Sequence, residues 1–276
     1  MRTWVKAGAG VIGAALLLAA GAGGALLWAG NQSLSKDHGA LPETVAGGPG
    51  DAALGARLVS VYGCNGCHGA ALAGQDFYGM VASNLRRRAR EWSREDFARA
   101  VRNGLRPDGT SISWAMPTEM FSAMADNEIA AIHAHLRRLP AAGDAQPVRL
   151  KHRFFKAYHA AIGELIPNVV LVRATDAGPA VAPAPGTAGW GAYFTRMACA
   201  ECHNHGLGGF GSDTPALADA IQIYDWPAFV RLTTTGRPPD GRELRLMTGV
   251  GRERLAHMTD AERRALFDYL KSLSQP

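Results

Sequence analysis

All four cysteines of this 276-residue chain fall into two copies of one five-residue pattern. The first is Cys64-Asn65-Gly66-Cys67-His68 and the second is Cys199-Ala200-Glu201-Cys202-His203, 135 residues further on. The likeness reaches well beyond the cysteines. Gly55-Ala56-Arg57-Leu58 is echoed by Gly191-Ala192-Tyr193-Phe194, and Pro107-Asp108-Gly109 by Pro239-Asp240-Gly241. Met124-Ala125-Asp126-Asn127-Glu128 returns as Met258-Thr259-Asp260-Ala261-Glu262, and Leu136-Arg137-Arg138-Leu139 as Leu270-Lys271-Ser272-Leu273, at offsets between 132 and 136 residues. A fixed period of this kind predicts two copies of one structural unit, each about 90 residues long.

The spacing C-x-x-C-H predicts covalent attachment of haem. Two thiols add to the two vinyl groups of the porphyrin, and the adjacent imidazole reaches the iron from one face. Cys64, Cys67 and His68 would hold one haem c, and Cys199, Cys202 and His203 a second. A thioredoxin-type dithiol needs a βαβ surround that is absent, and a four-cysteine zinc site would have to join pairs from different repeats. A haem filling the centre also explains how so small a unit builds a core.

The second axial position calls for a soft or imidazole ligand. Met116, in Trp114-Ala115-Met116-Pro117, and Met247, in Leu244-Arg245-Leu246-Met247, both follow the Pro-Asp-Gly turn and precede the last helix of their repeat. They are the expected iron ligands, each placed in an irregular stretch that can cross a haem face. Met124 and Met258 sit just before the last-helix cap, where a hydrophobic staple belongs. Met120 has no counterpart in the second repeat. His133 and His135 fall inside a helix, and His205 and His257 have no partners at matching positions.

Arg2 and Lys6 precede a charge-free run from Ala7 to Gly30. As a helix it would be roughly 36 Å long, enough to cross a bilayer core of about 30 Å. The positive flank predicts that the amino terminus stays in the cytoplasm and the rest crosses. Ala20-Gly21-Ala22 offers a cleavage site for the alternative, a signal peptide, but the apolar run continues through Trp28, which favours an uncleaved anchor. The formal charge of +5 shrinks once haem propionates are counted, and no nucleic-acid-binding spacing is present, so nucleic acid is not an expected partner. Arg86, Arg87, Arg88 and Arg90 admit two readings: a solvated face with one arginine on a propionate, or a docking patch for an acidic partner.

Apolar periodicity and capping residues predict an all-α chain. Asp51, Ser93, Asp126 and Thr259 are the expected helix caps, the last in a capping box with Glu262. The one candidate strand is Val169–Val172. The expected division is a membrane helix over 1–30, a linker over 31–50, a first unit over 51–140, an interdomain segment and Ala/Pro/Gly-rich linker over 141–189, and a second unit over 190–276.

Each repeat resembles a class I cytochrome c domain: a helix running into C-x-x-C-H, a later methionine loop and a closing amphipathic helix. The first is similar to the membrane-associated cytochrome c subunits of bacterial periplasmic dehydrogenases, through Ser83-Asn84-Leu85, Trp92-Ser93-Arg94-Glu95-Asp96-Phe97, Asn103-Gly104-Leu105-Arg106-Pro107-Asp108-Gly109 and Met116-Pro117. Those subunits commonly carry three haem motifs, and this chain has two. The resemblance implies two tandem cytochrome c domains on the periplasmic side of the bacterial inner membrane, and a closing-helix aromatic on a small residue of the first helix. Tyr269 and Gly191 suit that contact in the second repeat, with His135 opposite Gly55 in the first. It implies electron transfer rather than catalysis: electrons pass between a periplasmic dehydrogenase, or another redox partner such as a quinol-oxidising complex, and a downstream cytochrome or terminal oxidase. The alternative is a dihaem redox enzyme, peroxidase-like, with one open haem site.

Overall fold

The computed structural model describes residues 2–39, 45, 48–77, 79–113, 115–172, 179–211 and 214–274, with side chains from residue 12 onward. Trp114 and residues 173–178 of the expected linker lie outside the described residues. The chain opens with α1 (Arg2–Ser35), then α2 (Ala52–Val61) and α3 (Cys64–His68). A hairpin of β1 (Gln75–Phe77) and β2 (Met80–Ala82) follows, with Asp76 paired to Val81. Next come α4 (Leu85–Glu91), α5 (Arg94–Asn103), α6 (Thr118–Phe121) and α7 (Asp126–Arg138). Between the repeats lie α8 (Leu150–Ala161) and α9 (Asn168–Val172). The second repeat begins with α10 (Ala188–Phe194), passes through a π-helical turn (Thr195–Cys199) into α11 (Ala200–His203), and continues with α12 (Leu217–Ala220), α13 (Trp226–Thr235), α14 (Leu246–Glu253) and α15 (Asp260–Ser272).

The caps explain where these helices start. The Asp51 carboxylate accepts from the amides of Ala53 and Leu54 at 2.9 and 3.2 Å, and the Ser93 hydroxyl from that of Asp96 at 3.0 Å. Thr259 and Glu262 satisfy one another's backbone amides at the start of α15, a complete capping box. Asp126 does not cap α7. The cap residue is Ala125, which has no side-chain acceptor, and Asp126 pairs instead with Arg102 at 2.6 Å.

Each repeat is organised by one close helix crossing. A Cβ at Gly55 would overlap the Ala131 carbonyl and crowd His135, and one at Gly191 would overlap Ala265 and Tyr269. Glycine therefore lets α2 press on α7 and α10 on α15, backbone to backbone. The apolar faces behind these crossings form one cluster spanning both repeats. Tyr62 joins the halves, stacked on Phe194 with centroids 6.1 Å apart and edge-on to Phe121 at 6.4 Å.

Two further expectations need correction. Val169–Val172 is helical, as part of α9, because Asn168 and Val169 are buried against the first repeat rather than paired in a sheet. Met247 is the second residue of α14 and not part of an irregular stretch.

Candidate haem centres

The first motif lies just after Gly63, whose positive φ of 73° turns the chain from α2 into α3. Within α3 the spacing of three and four residues sets Cys64, Cys67 and His68 along one side. His68 is buried, and its Nδ1 lies 2.7 Å from the Ser83 carbonyl oxygen. A ring nitrogen facing a carbonyl must donate, so Nδ1 carries the proton and Nε2 keeps its lone pair for a metal. Burial also lowers the His68 pKa, which keeps the ring neutral. His203 repeats the arrangement, with Nδ1 2.8 Å from the Pro215 carbonyl oxygen.

The structure gathers Cys64, Cys67, His68 and Met116 around one largely apolar cavity, walled by Leu85, Phe97, Val101 and Ile132. Three cations of the first repeat and its following segment also reach it: Arg88, Arg106 and Lys156. Burial pushes the Arg106 guanidinium and the Lys156 ammonium below their usual ranges, and Arg106 adds to the effect on Lys156. Cations lining an apolar cavity fit a flat apolar ligand with carboxylates at its edge, and the residues present therefore suit haem. A dithiol redox pair fits poorly, because burial pushes the Cys64 and Cys199 thiols up to about 12. Among the described residues no cluster of three His, Cys, Asp or Glu suits a zinc ion.

Residues 50–136 match the family model of cytochrome c oxidase, cbb3-type, subunit III, and residues 190–274 match that of cytochrome c. No curated protein matches the chain. The chain is a dihaem class I c-type cytochrome. Its two domains imply two covalently bound c-type haems, carried on Cys64 and Cys67 and on Cys199 and Cys202.

Several residues that shape the centres of this cytochrome escape a reading of the sequence. Asn168, 1% exposed, sets its amide nitrogen 2.8 Å from the carbonyls of Ser113 and Met116 and 2.9 Å from the Thr118 hydroxyl. It pins the Met116 loop from a segment outside the repeat. Met80, on β2, also lines the first cavity, and its sulfur accepts from the Ser113 hydroxyl at 3.5 Å. In the second domain Met247 is half-buried against the core. The next residue, Thr248, fixes that turn: its hydroxyl accepts from the Leu244 amide at 2.7 Å and donates to the Gly236 carbonyl at 3.1 Å.

The four clustered arginines have partners within the cytochrome. Arg87 pairs with Asp144 at 2.7 Å, Arg88 with Glu91 at 2.8 Å, and Arg90 donates to the Leu139 carbonyl. Arg87 and Arg90 tie α4 to the chain leaving α7, while the Arg88–Glu91 pair stays within α4. Only Arg88 of the four reaches the cavity, in keeping with one arginine on a propionate.

The domains meet by an exchange of equivalent positions. Arg57 and Tyr193 both stand two residues after the crossing glycine, while Glu128 and Glu262 are each the third residue of a closing helix. Arg57 grips Glu262 of the other domain at 2.6 and 2.9 Å, and Tyr193 donates to Glu128 at 2.5 Å. This cross-pairing brings the two haem motifs together. Arg254 lies against Gly63, beside the first motif, and pairs at 3.1 Å with Glu201, inside the second.

Proposed function

We propose that this cytochrome carries electrons from a periplasmic dehydrogenase or quinol-oxidising complex to a downstream cytochrome or terminal oxidase. α1 would hold it at the inner membrane, with both haem domains on the periplasmic side. The α1 segment Ile12–Ser35 is long and apolar enough to cross a bilayer. We assign His68 and Met116 as the residues that would hold the first iron, and His203 and Met247 as those that would hold the second. The Met247 assignment rests on its place in the repeat. When bound, the iron porphyrins supply one-electron carriage, and the chain's part is to choose their ligands and exclude solvent.

The observation that carries this reading is the Arg254–Glu201 pair, which sets one attachment motif beside the other. A relay needs its two centres close, whereas an enzyme needs one of them open. The test is full-length protein purified from membranes in mild detergent. The expected result is a sulfur-to-iron charge-transfer band lost in part in Met116→Ala and in part in Met247→Ala, no carbon monoxide binding by the reduced wild type, and recovery with a redox partner. Carbon monoxide binding at one centre, together with rapid peroxide turnover, would overturn the proposal in favour of a dihaem enzyme.

A further inference from the structure

The segment between the domains carries an apolar face that the fold does not cover. Leu150, Phe154, Tyr158, Ile162 and Ile166 recur every four residues through α8 and beyond it, and all are between 43% and 67% exposed. The opposite side of α8 is fixed to the first domain. His152, 2% exposed, donates from Nε2 to Asp76 at 2.9 Å, while its Nδ1 accepts from the Arg149 amide. Phe155 packs on Gly79 in the turn of the hairpin. The exposed side is therefore the free face of a held helix. A contiguous apolar patch on a fixed element marks a contact surface.

What covers it follows from where α8 lies. α8 packs against α1, and the two backbones come close at Gly30, where an added Cβ would overlap the Ala157 carbonyl. Gly30 is followed by the polar Asn31 and Gln32, so α8 meets the anchor where its apolar surface ends. Trp28 is 65% exposed at the same level, and Trp and Tyr favour the boundary between headgroups and acyl chains. Arg149, Lys151 and Arg153 are exposed around the start of α8 and suit anionic headgroups. Beyond α1, the Asp37–Thr110 bridge and the bond from the His38 amide to the Gly109 carbonyl fasten the chain to the first domain.

We propose that α8 is an interfacial helix, lying with its Leu150–Phe154–Tyr158–Ile162 face in the surface of the bilayer that α1 crosses. The occupant is lipid, and the contact fixes the tilt of the first haem domain over the membrane. This rests on the reading of α1 as a membrane anchor. The test places the full-length holocytochrome in vesicles of phosphatidylcholine and phosphatidylglycerol. Spin labels are attached at Phe154→Cys, Ile162→Cys and, as a distant control, Arg252→Cys, in variants that keep the wild-type haem absorbance. The expected result is flotation with the vesicles and labels at 154 and 162 relaxed more by oxygen than by a water-soluble nickel chelate, with the reverse at 252. Wild-type protein in vesicles doped with an acyl-chain photocrosslinker should yield lipid adducts on peptides spanning 150–166. Flotation with water-accessible labels at 154 and 162 overturns the α8 proposal alone, as do labels shielded from both reagents, which would mean a protein cover. Failure to float overturns the anchor reading and the proposal with it.

Discussion

The hydroxyl of Tyr193, in the first helix of the second domain, donates to the Glu128 carboxylate, in the closing helix of the first, at 2.5 Å. The same hydroxyl accepts from the Ala125 amide at 2.7 Å. In the second domain these needs are met locally by Thr259 and Glu262. The first domain has Ala125 where the threonine would stand, and the Tyr193 hydroxyl links its cap amide to Glu128, whereas in the second domain Glu262 accepts from the cap amide directly. Tyr193→Phe removes both bonds and leaves a buried carboxylate with one donor fewer. It should destabilise the first domain by about 1–3 kcal/mol, read as a lower urea midpoint of that domain. Combined with Glu128→Gln the losses should fall short of additive, because the two residues share one interaction.

Glu128 also gives the interface a pH dependence. Burial raises its pKa from the ordinary 4.5 to about 6, against the lowering effect of hydrogen bonds from Tyr193 and Tyr62. Glu262 raises it further and Arg57 opposes. A raised carboxyl pKa means that the folded chain holds the proton more tightly than the unfolded one. Stability from this group is therefore full below pH 4.5 and declines as the pH rises through about 6, by about 2 kcal/mol in all. Glu128→Gln abolishes this slope. The difference in unfolding free energy between variant and wild type should change over that window and be flat outside it.

The haem motifs were legible because covalent chemistry dictates residue type and spacing together, and the crossing glycines because backbone contact tolerates little else. Caps whose acceptor and donor lie three residues apart, at Ser93 and Thr259, were legible for the same local reason. Asp126 misled because Asp126 and Ala125 differ by a single residue of register, and the amide of Ala125 is satisfied from another domain. Val169–Val172 misled because a short apolar run suits a buried strand or a buried helix equally. Lys156 and Arg254 line the first cavity and Asn168 holds the Met116 carbonyl, all from far away in sequence, and no local pattern marks such partners. The arginine cluster read as surface because its acceptors are mostly backbone carbonyls and distant acids.

Asn168 makes the role of the Met116 loop testable. Asn168→Ala leaves the carbonyls of Ser113 and Met116 without their side-chain donor and frees the loop. With Met116 as the iron ligand proposed above, the first centre should lose part of its sulfur-to-iron band and become reactive to carbon monoxide when reduced. The second centre should keep its spectrum. A purely structural role for Asn168 would lower stability and leave the band intact, so the spectrum separates the two.

Arg254 and Glu201 offer the sharpest electrostatic test, because their charges sit beside both attachment motifs. The reduced centre carries one positive charge fewer than the oxidised one, so a nearby cation favours reduction and a nearby anion opposes it. Arg254→Gln removes the cation and leaves the Glu201 carboxylate unopposed, so the local charge becomes negative. The reduction potential of the first haem should fall by on the order of tens of millivolts, an effect that half-exposure and salt reduce but do not cancel. Glu201→Gln should raise it. Removing both charges should give a smaller shift than Arg254→Gln alone, since the two effects then oppose. Redox titrations that resolve the two haems would measure all three variants. A first-haem potential unmoved in Arg254→Gln would mean that Arg254 does not lie beside the bound porphyrin, and the adjacency of the motifs would lose its functional meaning.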